Sequence, residues 1–177
     1  MSCTGTRQTV QTAQTVRPED AAAELTFTFT RQSGHATNQF AVWIEDSNGG
    51  YIKTIYATRF TADGGWKRRP DSISAWVKQS GVSGMTKEQV DSVSGATPGT
   101  GTQSFLWDGT DSSGAPVPPG DYVFVLEGTL RWANRVIYRA PIRIGSGAAA
   151  AEVRAEYSGD SDAERSMIDN VKAQVYR

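Results

Sequence analysis

Residues 25–30 read Leu25-Thr26-Phe27-Thr28-Phe29-Thr30, a strict alternation of large apolar and β-branched polar side chains. A period of two places one set on each face of an extended chain, so the segment predicts a half-buried strand and is incompatible with an amphipathic helix. Phe40, Val42 and Ile44 repeat the pattern. Asn48-Gly49-Gly50 then leads into residues 51–58, and Asn-Gly reaches positive φ at little cost, which predicts a hairpin. Further strands are expected over 103–107, 122–132, 136–144 and 152–157, with Ala133-Asn134-Arg135 turning between two of them. Pro141 cannot donate to a ladder and marks an edge position. About seven short strands with frequent turn signals predict an all-β chain, an immunoglobulin-like β-sandwich.

Two segments break this rhythm. Residues 59–102 form an insertion too long for a plain connection between strands, and long insertions are where function concentrates. Pro70 suits the first turn of a helix, with Ile73, Trp76 and Val77 on its inner face and Gly81 ending it. Thr86 and Gln89 have the spacing of a capping box for a second helix. At the C-terminus, Ser161 and Glu164 repeat that spacing, and Ala163, Met167, Ile168, Val171 and Val175 recur at helical intervals. The expected organisation is a flexible tether over 1–23, a sandwich over 24–158 with its helical insertion at 59–102, and a C-terminal amphipathic helix over 159–177.

Composition removes several kinds of chemistry. The chain of 177 residues has one Cys and one His, which excludes an internal disulfide and a Cys/His zinc site of the usual kind. Eighteen basic and 19 acidic residues leave a net charge of −1, with no general attraction to nucleic acid. No apolar run approaches the ~20 residues of a membrane span. Asp108, Asp111 and Asp121 lie in Gly/Pro-rich turns, where Asp ordinarily bonds local backbone and is not assigned to a metal. No acidic pair is set apart by a spacing that selects it for acid–base work, so the chain is expected not to be an enzyme. Cys3, followed by a Thr- and Gln-rich stretch, is the position expected to carry a lipid anchor.

One short motif carries chemistry. Asp91-Ser92-Val93-Ser94-Gly95-Ala96-Thr97 resembles the site at which bacterial flavin transferases attach FMN to extracytoplasmic proteins. That pattern is Asp, two residues, Ser or Thr, Gly, Ala, then Thr or Ser, and every position is matched by Asp91, Ser94, Gly95, Ala96 and Thr97. The resemblance implies covalent FMN on the Thr97 hydroxyl, with a flavin transferase and a membrane redox protein as partners. The chain departs from it after Thr97, where Pro98-Gly99-Thr100 follows. Trp66-Lys67-Arg68-Arg69 adds a local charge of +3 beside an indole, which makes Trp66 and Arg68 candidate ring and phosphate contacts.

Wider resemblances place the chain. Trp107-Asp108-Gly109 with Pro118-Pro119-Gly120-Asp121-Tyr122 resembles the hairpin of the immunoglobulin-like module in flagellar hook-capping proteins. Ala41-Val42-Trp43-Ile44-Glu45-Asp46, Tyr51-Ile52-Lys53-Thr54-Ile55 and Trp66–Pro70 with Trp76 resemble a family of predicted periplasmic proteins, domain of unknown function 2271. That resemblance implies a periplasmic location and no known activity. Two functions are therefore expected to compete: an electron carrier bearing FMN, and a protein-binding module without cofactor whose insertion and C-terminal helix dock a partner.

Overall fold

The alternating segments form strands, and the strands pair into two sheets that face one another. The structure, a computed structural model, describes residues 8–9, 16–159 and 164–177. The five-stranded sheet runs β1 (Gln8–Thr9), β6 (Gly101–Trp107), β2 (Ala23–Phe29), β11 (Ile168–Val175) and β9 (Ala149–Ala151) across its width. The six-stranded sheet runs β10 (Arg154–Ser158), β8 (Asn134–Ile144), β7 (Gly120–Arg131), β3 (Gln39–Asp46), β4 (Tyr51–Thr58) and β5 (Ser94–Gly95). The β2–β6 pair in one sheet and the β3, β7, β8 set in the other match the pairing of an immunoglobulin-like sandwich. At the start of β7 the Tyr122 hydroxyl donates to the Pro118 carbonyl at 2.8 Å, the tyrosine corner of that fold. Pro141 sits on β8 beyond Arg139, where β10 stops pairing, so its missing N–H faces no ladder.

Between the sheets lies an aromatic core. Phe27, Phe40, Tyr56 and Phe105 meet with ring centroids 5.2–5.6 Å apart for most pairs, and Trp107 meets Tyr122 at 5.4 Å. Each such side chain contributes about 1.5–3 kcal/mol by leaving water. Gly128 leaves the space that Met167 and Ile168 enter, which seats the start of β11.

The insertion forms a third layer on the outer face of the six-stranded sheet. It contains α1 (Arg59–Ala62), α2 (Ser74–Ser80) and α3 (Lys87–Val93). Ile73 and Trp76 pack on Ala41, Trp43 and Val125, so β3 is buried on both faces. That is why Phe40-Ala41-Val42-Trp43-Ile44 is apolar throughout. Polar bonds fix the layer: the buried Glu127 carboxylate accepts the N–H groups of Ala75 at 3.1 Å and Trp76 at 2.8 Å, and Trp76 Nε1 donates to Thr54 at 2.9 Å. Burial pushes the Glu127 carboxyl above the ordinary Glu range, opposed by those two N–H groups and by Arg135 and Arg139. The Thr86–Gln89 capping box is present on α3, and Gly81 ends α2 as expected. Pro70 does not begin α2: it lies in the preceding turns, and the helix starts at Ser74 after Ile73 at φ 37°.

The C-terminal helix expected over 159–177 is not formed. A 3-10 turn, Arg165–Met167, leads into β11, which lies antiparallel between β2 and β9. The register shifts between Asp169 and Lys172, with Asn170 at φ 52°. The bulge separates Ile168 from Val171 by three positions, and Val171, Ala173 and Val175 then alternate; together they imitate helical spacing. Ser161 and Ala163 of that expectation lie outside the described residues.

Two boundaries also move. Residues 16–23, assigned to the tether, join the fold: Ala21, Ala22 and Ala23 are buried, and Ala22 N–H donates to the Trp107 carbonyl at 2.7 Å. Cys3 lies outside the described residues. The strand expected over 152–157 forms as β10 from Arg154, in the six-stranded sheet; the short β9 of the other sheet precedes it, and the chain crosses between the sheets at Glu152 and Val153.

Candidate functional site

The flavin-type motif lies where the insertion returns to the sandwich. Helix α3 carries Asp91, whose carboxylate pairs with Arg59 of α1 at 3.2 Å, both half exposed. The chain then extends as β5, which pairs in parallel with the end of β4 through Ala57–Ser94 and Thr58–Gly95. No strand lies beyond β5 among the described residues, so the motif occupies the open edge of its sheet.

Close packing explains the motif's glycine. A Cβ at Gly95 would stand 2.8 Å from the Tyr56 ring, which is itself stacked on Phe40 and cannot yield. The Tyr56 hydroxyl donates to the Ala96 carbonyl at 2.5 Å, and burial raises that hydroxyl's pKa far above its ordinary value, so it stays a donor. On the far side of the loop, Thr100 Oγ1 accepts the Arg31 N–H at 2.9 Å. The loop is thus held on both flanks, with Ala96 exposed and Thr97 half-buried between. Ser94 Oγ is buried without a hydrogen-bond partner among the described residues.

Thr97 faces a groove of about 380 Å³ shared with Arg31, His35, Phe60, Arg69 and Trp132. A second depression of about 130 Å³ adjoins it, sharing Ala36, Arg69 and Trp132 and adding Arg68, Pro70, Asp71 and Ser72. The Arg69 guanidinium stands 4.0 Å from the Phe60 ring centroid and Arg68 5.3 Å from it, a cation–π arrangement. Burial, and then the charge of Arg68, hold Arg69 below the ordinary guanidinium value. Among the described residues no acidic side chain forms an ion pair with Arg31, Arg68 or Arg69. An anion in the groove relieves this like-charge crowding.

The structure therefore brings together Thr97, Gly95, Ala96 and, at the adjoining depression, Arg68. It does not bring Trp66 there: Trp66 is half-buried against the insertion's own core with Lys67 over its ring at 5.3 Å, and it lines neither depression. Arg31, His35, Arg69 and Trp132 are the groove residues that sequence reasoning missed. The available signal was Trp132 itself, an indole placed at a hairpin turn where polar residues are usual. The three turn aspartates are committed locally: Asp108 accepts from Thr110 and Lys53, Asp111 from Ser113 and Ala115, and Asp121 pairs with Arg143. Among the described residues no helix is long and apolar enough to cross a membrane.

The model of a family described as predicted periplasmic protein (DUF2271) matches residues 21–163. The chain belongs to that family. The match begins at the buried alanines before β2 and takes in the six-stranded sheet, β2, β6 and β9 of the other, and the whole insertion, groove included; β1 and β11 lie outside it. Membership supports an extracytoplasmic location and brings no activity with it. No curated protein and no solved structure matches the chain.

Proposed function

We propose that this protein is a non-catalytic extracytoplasmic electron carrier bearing FMN on Thr97. The observation that carries the reading is the position of Thr97: the hydroxyl specified by the motif stands on an exposed, anchored loop at the rim of a cationic, aromatic groove. The residues fit the group. Arg31 and Arg69 line the groove beside Thr97 and have no acidic ion-pair partner among the described residues, so their charge is available to a phosphate. In attachment Thr97 Oγ1 would form the bond to the FMN phosphorus of a flavin dinucleotide and give up its proton, while the phosphoanhydride bond breaks and the nucleoside monophosphate leaves; Arg31 and Arg69 would hold the phosphate. The bound flavin supplies one- and two-electron transfer; the protein's part is to hold and orient it and to present it to a membrane redox partner.

Intact mass after co-expression with a flavin transferase tests the reading. The expected result is an addition of one FMN that disappears in Thr97→Ala. An unchanged mass, or an addition that persists in Thr97→Ala, overturns it and favours the second reading, a cofactor-free protein-binding module. That alternative rests on Trp132, 63% exposed beside the groove.

A further inference from the structure

Among the described residues, the Trp132 side chain belongs to neither hydrophobic cluster of the fold. It is one of two large apolar residues that are exposed among those described. Its backbone is held at φ 51°, a conformation that bulky residues rarely adopt. Its N–H donates to the Ala36 carbonyl at 2.9 Å, which pins the hairpin turn to the loop carrying His35. The two-residue turn between β7 and β8 thus places the exposed indole at the boundary of the two adjoining depressions.

Charge differs between those depressions. On the Thr97 side stand Arg31, His35 and Arg69. On the other side Arg68 and Arg69 are joined by the Asp71 carboxylate, among Pro70 and Ala36. A phosphate on Thr97 is held in the first by its bond to that residue, where Arg31 and Arg69 face it; the second, in which one carboxylate offsets part of the Arg68 and Arg69 charge, is the less cationic of the two. The second suits an uncharged, flat heteroaromatic group reaching over Arg69 on a flexible spacer.

We propose that the isoalloxazine ring of Thr97-linked FMN stacks on the Trp132 indole over this second depression, with Arg69 between ring and phosphate. This rests on the covalent-flavin reading. Offset stacking of the electron-poor ring on the indole removes apolar area of both from water, and an indole in contact quenches flavin emission.

Flavin fluorescence of the flavinylated full chain, normalised to flavin content by intact mass, tests the assignment. Wild type is expected to be strongly quenched, Trp132→Ala to emit several-fold more at the same mass increment, and Trp132→Phe to lie between them. Trp66→Phe is expected to match wild type. Flavin present on Thr97 with unchanged emission in Trp132→Ala overturns the stacking assignment and leaves the attachment reading standing. Emission restored by Trp66→Phe instead overturns it in favour of the other indole. Absence of flavin mass on Thr97 in wild type overturns both.

Discussion

Lys53 shows how a single polar contact ties separate parts of the chain together. Its ammonium reaches Asp108 at 3.3 Å and Thr110 at 2.7 Å, linking β4 to the turn that follows β6. Burial pushes the Asp108 carboxyl up, but the Thr110 hydroxyl and N–H and the Lys53 charge together outweigh it and hold the group below the ordinary Asp range. A depressed carboxyl stabilises the fold above its unfolded pKa and ceases to do so as pH falls through the folded value. Asp108→Asn is therefore expected to lower the urea midpoint at pH 7 and to converge with wild type in strong acid. A gap that stays constant with pH would show that the contact is not electrostatic. Gly95, Ala96 and Thr97 were singled out at this scale because a motif is a run of neighbouring residue identities. That Arg31, Arg69 and Trp132 stand beside Thr97 was not legible, because they lie on separate segments that only the fold brings together.

Among the elements, the helical insertion shows what sequence periodicity conveys and what it omits. The capping box at Thr86 and the stop at Gly81 are local, and both hold. The start of α2 is not local: it is set by Glu127 and Thr129 of β7, which accept the N–H groups of Ile73, Ala75 and Trp76. Carboxylates buried in this way leave no signature in a linear reading. Trp76 is fully buried beneath the insertion, and Trp76→Ala is expected to cost about 3–5 kcal/mol, read as a lower midpoint in chemical denaturation. A loss below about 1 kcal/mol would mean that the insertion is not packed on the sheet as described. In β11 a bulge at Asn170 turned strand alternation into apparent helical spacing, so the periodicity was real but its cause was misread.

At the level of the whole molecule, β11 closes the structure. It lies inside the five-stranded sheet, covers β2 along its length and buries Ile168, Ala173 and Val175 in the main core. Removing residues 168–177 opens the β2 edge and uncovers that core, so the truncated chain is expected to lose cooperative unfolding and to aggregate. Size-exclusion chromatography with thermal melting checks this; a monomer with an unchanged transition would refute the placement of β11. The segment accordingly belongs to the sandwich, and removing it is no test of partner docking.

By itself the sequence determined seven of the longer strands, the hairpin at Asn48-Gly49 and the boundaries of the insertion, and it singled out the Ser-Gly-Ala-Thr segment. All of these depend on neighbours along the chain: alternation, turn preference and motif spacing act over a few residues. Only the tertiary structure decided that the last strand replaces a helix, that the insertion covers a second face of the sheet, and that Thr97 shares a groove with Arg31, Arg69 and Trp132. Those outcomes depend on contacts between residues as far apart as Val175 and Ala23, and on others such as Trp76 with Thr54 that are separated by several turns of chain. No local propensity encodes such contacts, because they exist only once both sheets and the covering layer have packed.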